Sequence, residues 1–328
     1  MKLLNVFHLP SGRVFLLEAG DGFKVECTEM RDVRTSGKEN EEVRSSTDPR
    51  VVWNHLAPYS EKWLLTVSTQ KGCPHKCRFC DVAPLGFHGN LSRAEILEQV
   101  YFLLENTPYV KRCRKAKIGF ARMGEPSHNL KAVLSAMEGL PRPSEEWRWL
   151  PCFNSILPAR TLEGLAGEEV VERVMDFKER SCGGFLHFQV SCNSTDEGKR
   201  RELFGGAEVM PLKSVVEAVG KMKCTGRTVT LNFIAMKGVE VDPDKLMRLG
   251  LDPEKFTVKL IPMNRTANAA ANGLETYADY GSYDKLKELA EGFARHGIPV
   301  VYDSIAKCEE AGLCCGQLAS KFCGEAGV

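Results

Sequence analysis

The chain has 328 residues, of which 43% are hydrophobic and 27% charged, with 44 Lys and Arg set against 43 Asp and Glu. That length buries a full core as one large α/β domain or two ordinary ones, and the balanced charge excludes a global basic field for nucleic acid. No run of apolar residues reaches the roughly 18 of a membrane span. The N-terminus also lacks a signal-peptide core, so the 13 cysteines point to metal binding or catalysis in a reducing cytoplasm rather than to a secreted disulfide framework.

Along the chain, residues 5–9 and 13–18 flank Pro10-Ser11-Gly12 and read as a small hairpin. Residues 26–50, crowded with charge and with Ser, Thr and Gly, are expected to be a loop or linker. From Trp63 onward, short apolar runs alternate with amphipathic stretches. The strand candidates are 63–68, 117–121, 149–153, 185–191, 228–234, 257–261 and 299–302. Ser92-Arg93-Ala94-Glu95 is a capping box, and Ile96, Val100 and Leu103 follow on one helical face. Residues 130–138, 211–223 and 283–296 read as helices too, the last stopped by Gly297. Such alternation argues for βα units around a parallel sheet, open or curled into a partial barrel, with chemistry at the C-terminal ends of the strands.

One segment at such a strand end carries chemistry. Gly72-Cys73-Pro74-His75-Lys76-Cys77-Arg78-Phe79-Cys80 has the spacing C-x3-C-x2-C with an aromatic residue before the last cysteine. Three thiolates hold three irons of a [4Fe–4S] cubane and leave the fourth iron open. S-adenosylmethionine (SAM) fills that position through its amino and carboxylate groups, and one electron then releases a 5′-deoxyadenosyl radical, a task no side chain performs. A zinc knuckle is the competing reading. It wants four ligands, and His75, inside the triplet, would have to fold back to be the fourth.

The triplet is the signature of the radical SAM superfamily, and within it the chain resembles the RlmN/Cfr family of ribosomal RNA adenosine-C2/C8 methyltransferases. The likeness runs from about Trp63 to Ala319. It comprises Ser68-Thr69-Gln70-Lys71-Gly72-Cys73, Gly86-Phe87-His88-Gly89-Asn90-Leu91, Met123-Gly124-Glu125-Pro126 with Asn129-Leu130, Leu260-Ile261-Pro262-Met263-Asn264, and Cys315-Gly316-Gln317-Leu318. The resemblance implies that Gly124, Glu125 and Pro126 sit beside the SAM amino group. It likewise implies that Asn154, Ser155, Ser191 and Asn264 line the SAM ribose and carboxylate. Cys315 corresponds to the cysteine that the family methylates and uses as a methylene carrier toward an sp2 carbon. Read from residues alone, Glu125 could simply cap a helix, and Cys315 could join Cys308, Cys314 and Cys323 in a structural or second-cluster group.

Three features depart from that family. The position of its second catalytic cysteine, which resolves the protein–RNA adduct, is Thr66 here, and a disulfide from the adjacent Cys314 to Cys315 would be strained. A short segment stands where the family has a helical RNA-binding domain. The basic run before the C-terminal cysteine is replaced by Tyr302-Asp303-Ser304-Ile305-Ala306-Lys307, leaving Arg78, Arg112, Arg114, Lys115, Lys117, Arg200 and Arg201 as candidates for a local patch.

The expected fold is therefore α/β: a partial (β/α)6 radical SAM barrel over residues 61–305. An N-terminal hairpin and linker occupy 1–60, and a Cys-rich tail occupies 306–328. The expected function is reductive cleavage of SAM by a [4Fe–4S] enzyme with Cys315 as methyl or methylene carrier to a nucleotide, an RNA or a smaller molecule. The alternative is direct hydrogen abstraction from a small molecule or peptide without methyl transfer. A flavodoxin or ferredoxin would supply electrons; nucleic acid is an optional partner and a membrane is not one.

Overall fold

The computed structural model describes residues 1–32, 54–277, 283–302 and 316–324. Strands β1 (Lys2–Leu9) and β2 (Gly12–Glu18) form the expected hairpin, with Leu9 opposite Gly12 across the turn. Here the structure corrects the sequence reading. Lys24–Arg31, at the head of the supposed linker, is a third antiparallel strand, β3, which pairs with β2 on one side and with β4 (Trp63–Thr66) on the other. The hairpin thus continues the main sheet. The charges that suggested a loop are satisfied inside. Glu29 accepts from Arg13 Nε at 2.7 Å and Trp63 Nε1 at 3.1 Å, and the wholly buried Glu26 pairs with Arg122.

After β4 the chain makes a two-stranded hairpin of β5 (Gln70–Gly72) and β6 (Phe87–Asn90), with residues 73–86 between its arms. Helix α1 (Arg93–Glu105) starts at the reciprocal Ser92–Glu95 capping box. Then come β7 (Ala116–Gly119), α2 (Leu130–Glu138), β8 (Trp149–Ser155), α3 (Gly167–Arg180), β9 (His187–Ser191), α4 (Glu197–Leu203) and α5 (Leu212–Gly220). The remainder is β10 (Val229–Ala235), α6 (Pro243–Arg248), β11 (Phe256–Pro262), α7 (Ala267–Ala271), α8 (Tyr283–Arg295), β12 (Val300–Tyr302) and α9 (Gln317–Gly324). The ten-stranded sheet has the order β1-β2-β3-β4-β7-β8-β9-β10-β11-β12, and from β4 to β12 every neighbour is parallel. Every strand candidate is present.

Strand alternation separates the two faces of this sheet. Ile118, Phe153, Phe188, Val190, Leu231, Phe233, Val258 and Leu260 are fully buried in one core with Val100, Val133, Val170, Val215 and Phe293 of the helices. The opposite face is polar: Thr66, Lys117, Gly119, Cys152, Asn154, His187, Gln189, Ser191, Thr230, Asn232 and Lys259 alternate with the core residues along the strands. Burial, then the positive charges of Lys117, Arg227, Lys259 and Lys115, hold His187 well below the usual imidazole range. Among the described residues no helix is long and apolar enough to cross a membrane.

Candidate active site

The cysteine loop is pinned before any cofactor arrives. The β5–β6 pair ties its ends, and Cys73 N–H donates to Gly86 O at 2.7 Å. Its middle is held by the segment around α7, which sequence reasoning left unassigned. Asn268 Nδ2 donates to the carbonyls of Cys77 at 2.9 Å and Cys80 at 3.0 Å, and its backbone N–H reaches Asp81 Oδ1. Thr266 Oγ1 donates to Phe79 O, and Asn272 Nδ2 to Arg78 O. Phe79, the aromatic residue of the motif, packs edge-on against the buried Phe204. A loop carrying three thiolates would otherwise leave its carbonyls and amides unpaired, so these asparagines are a condition for its shape.

The donor set suits an iron–sulfur cluster. Burial pushes the Cys73 and Cys77 thiols far up, and the charges of the neighbouring cysteines and of Glu125 push the same way. Thiols so placed give up their protons only to a strong local cation, which cluster irons provide. The neighbouring His75 backbone N–H acts the other way and lowers the Cys73 thiol. Among the described residues no three His, Cys, Asp or Glu converge as ligands of a single metal ion.

Gly124 has φ of +100°, and a Cβ there would lie 2.6 Å from Gln70 Cβ, so only glycine fits the turn. Glu125 is buried and caps the 3₁₀ turn Pro126–Asn129: Oε1 accepts from Ser127 N and Oε2 from Ile156 N, both at 3.0 Å. The capping reading and the ligand reading are compatible, because each carboxylate oxygen keeps a second lone pair. Ser155 Oγ bonds Ser127 Oγ at 2.6 Å and accepts from Leu157 N, which locks the Gly-Glu-Pro turn to the end of β8. The motif residues also form one network: Gln70 accepts from Glu125 N and donates to Asn90, while Asn129 donates to Thr69 O and Leu91 O.

Ser191 ends β9 and pairs in register with Asn232, and Asn264 follows β11. Near these strand ends three buried amide atoms, Asn193 Nδ2, Asn232 Oδ1 and Asn264 Oδ1, have no hydrogen-bond partner among the described residues. Buried orphans of this kind mark a place where a polar ligand completes the bonding, and the hydroxyls, amino and carboxylate groups of SAM are suitable partners. The sequence reading picked out Asn264 but not Asn193 or Asn232. Asn193, at φ of +63°, is one of two non-glycine residues with positive φ among those described, a strain that sequence alone does not reveal.

Cys315, Cys308 and Cys314 lie outside the described residues, as does the side chain of Cys323. The residue after Cys315 is well placed. Gly316 N–H donates to Glu26 Oε2 at 3.2 Å, and the next turn's Leu318 and Ala319 amides donate to Glu26 Oε1 at 3.0 and 2.7 Å. Gly316 has φ of +80°, and a Cβ there would lie 2.5 Å from Val82 Cγ2 and 2.8 Å from Val82 N. The start of α9 is therefore wedged between the N-terminal sheet and the cysteine loop. Gly316→Ala is expected to cost about 1–3 kcal/mol from backbone strain alone, and chemical denaturation with an unchanged midpoint would contradict this packing.

Thr66 shares a 2.6 Å hydrogen bond with Thr28 and sits against Gly119, with no cysteine opposite it in register. The residues suggested for a basic patch divide: Lys115 and Lys117 lie near Arg227 and Lys259 on the polar face of the sheet, whereas four of the arginines are engaged by carboxylates. Arg78 pairs with Glu202, Arg112 with Glu146, Arg200 with Glu197 and Arg201 with Glu208, and Arg200 is fully buried.

Comparison with known proteins agrees with this geometry. No family model matches the chain. It is 28% identical over 269 residues to a probable dual-specificity RNA methyltransferase RlmN of Thermus thermophilus, covering 80% of this chain and 69% of that protein. It is 29% identical over 194 residues to the protein of the same description from Porphyromonas gingivalis, covering 59% of this chain and 51% of the relative. Among solved structures it superposes on a radical SAM methyltransferase from Sphaerobacter thermophilus with a TM-score of 0.65 at 20% identity, across 96% of this chain and 80% of that one. The chain therefore shares the fold of a radical SAM methyltransferase. In sequence it resembles proteins described as RlmN, as its cysteine loop and accompanying motifs led one to expect.

Proposed function

We propose that this enzyme is a radical SAM methyltransferase in which Cys315 carries a methyl or methylene group to an sp2 carbon of a nucleotide, an RNA or a smaller molecule. Cys73, Cys77 and Cys80 hold the cluster; Gly124, Glu125, Pro126, Asn154, Ser155, Ser191 and Asn264 surround SAM; and a flavodoxin or ferredoxin reduces the cluster. When bound, the cluster and SAM together supply the 5′-deoxyadenosyl radical. The parallel strands read as a partial barrel across residues 61–305, preceded by the N-terminal unit 1–60 and followed by the Cys-rich tail 306–328.

The observation that carries this reading is the wedge at Gly316. Glu26 and Val82 hold the residue next to Cys315 against the loop that bears the cluster ligands, where a carrier thiol has to be. Direct hydrogen abstraction without a carrier gives no reason to anchor that tail so firmly. The Thr66 hydroxyl cannot form the disulfide by which the RlmN/Cfr family releases its product, so release here follows another route. Four of the suggested arginines are engaged in ion pairs, which leaves the smaller acceptors in contention with RNA.

The test is peptide mass spectrometry on anaerobically purified, cluster-loaded enzyme incubated with SAM. A methyl group on Cys315 is expected. Cys315→Ala should abolish methylated product while SAM cleavage continues. An unmodified Cys315 in enzyme that still makes 5′-deoxyadenosine would end the methyltransferase reading.

A further inference from the structure

Two histidines meet beside the cysteine loop, and the chemistry above uses neither. His75 lies between Cys73 and Cys77, and His128 lies in the Pro126–Asn129 turn, 3% exposed. Their rings meet edge to edge, with planes 25° apart, centroids 4.8 Å apart and Nε2 atoms 2.8 Å apart. The Leu162 backbone N–H donates to His128 Nδ1 at 3.0 Å.

These contacts fix where every proton sits. A backbone amide only donates, so His128 Nδ1 bears a lone pair and the ring carries its proton on Nε2. That proton occupies the 2.8 Å contact, so His75 Nε2 is the acceptor and His75 keeps its own proton on Nδ1. The amide at the far end cannot release its proton. The series is therefore not a two-way shuttle but a chain of donors that ends at His75 Nδ1–H. That N–H is not one of the buried unpartnered atoms, so it is open to a group bound beside the loop between Cys73 and Cys77.

We infer that His128 is a positioning residue that locks His75 as an Nδ1–H donor to an anionic sulfur of the cluster held by Cys73, Cys77 and Cys80. The inference rests on the cluster reading above. Its logic is that of partners behind metal ligands, which set orientation and tune the centre: hydrogen bonds to cluster sulfur stabilise the reduced, more negative state and raise the reduction potential.

The experiment is a potentiometric titration of the reconstituted enzyme, without SAM or acceptor, followed by electron paramagnetic resonance, with iron and sulfide measured on each sample. His75→Phe and His128→Phe should both lower the midpoint potential, and the double variant should go no lower than His75→Phe. His128→Gln, which keeps an amide N–H facing His75, should retain most of the wild-type value. Wild-type potentials in iron-replete His75→Phe would overturn the inference. So would a His128→Phe variant that keeps its potential and loses only SAM affinity, because the donor would then serve SAM. A wild-type protein that loads no iron would instead sink the cluster reading itself.

Discussion

Alanine at Cys77 is expected to yield a folded protein with essentially no iron or labile sulfide, where the wild type is expected to reconstitute to about four irons per chain at this loop. Cys77 is the most enclosed of the three ligands. Its carbonyl is held by Asn268, and its sulfur lies among Cys73, Cys80 and Glu125. Two remaining thiolates cannot hold a cubane with one open iron, so SAM cleavage to 5′-deoxyadenosine should fall below detection. Buried cysteines elsewhere make the test specific. Cys113, Cys152 and Cys192 are fully buried, and burial raises their thiols too, yet they sit in the core or on other strands. Alanine at any of those should leave iron content intact. A Cys77→Ala variant with full iron, or a Cys152→Ala variant without it, would mean that the ligands are misassigned.

The parallel strands were legible because their outward residues are apolar and largely β-branched or aromatic, as in Val229–Ala235 and Phe256–Pro262, with turn residues between them. Helix α3 was not read, because Glu168, Glu169, Glu172, Arg173 and the charges after them mask a stripe of Val170, Val171, Val174 and Met175 that only the folded sheet brings out. Strand β3 escaped for the opposite reason. Glu26 and Glu29 look like solvated charges until Arg122, Arg13 and Trp63, distant in sequence, arrive to pair with them. In the site, the residues given by motif were visible: the triplet, Gly124, Glu125 and Asn264. Those that hold the motif in place were not. Thr266, Asn268 and Asn272 are ordinary turn-formers in sequence, and their work depends on the long-range approach of α7 to the cysteine loop. The two histidines lie 53 positions apart, and nothing local to either predicts their contact.

Removing the Glu26 carboxylate should be the most destabilising single change outside the cluster, because one buried side chain joins three parts of the molecule. Its Oε2 takes the Arg122 Nε at 2.7 Å, and the Arg122 Nη2 lies 2.6 Å away. The same carboxylate receives the Gly316, Leu318 and Ala319 amides at the start of α9, where a negative charge also complements the helix dipole. Glu26 and Arg122 are 0% and 3% exposed, so solvent barely screens the pair. Breaking a buried pair by deleting one partner costs about 3–5 kcal/mol, since the other charge stays behind. For a chain of this size Glu26→Ala should lower Tm by on the order of 5–10 °C. Stability alone would make Glu26 a structural residue, and a second readout decides more. If the carboxylate sets where Cys315 stands, the methyl per folded, iron-replete Glu26→Ala enzyme should drop well below wild type at a temperature where both are folded. Methylation at the wild-type level in that sample would confine Glu26 to holding the fold together. Arg122 bears on the same question from the other side of the ion pair. It precedes Met123-Gly124-Glu125-Pro126 directly, so Arg122→Met should weaken the tail anchor and disturb the SAM-facing turn together, whereas Glu26→Ala should act first on the tail.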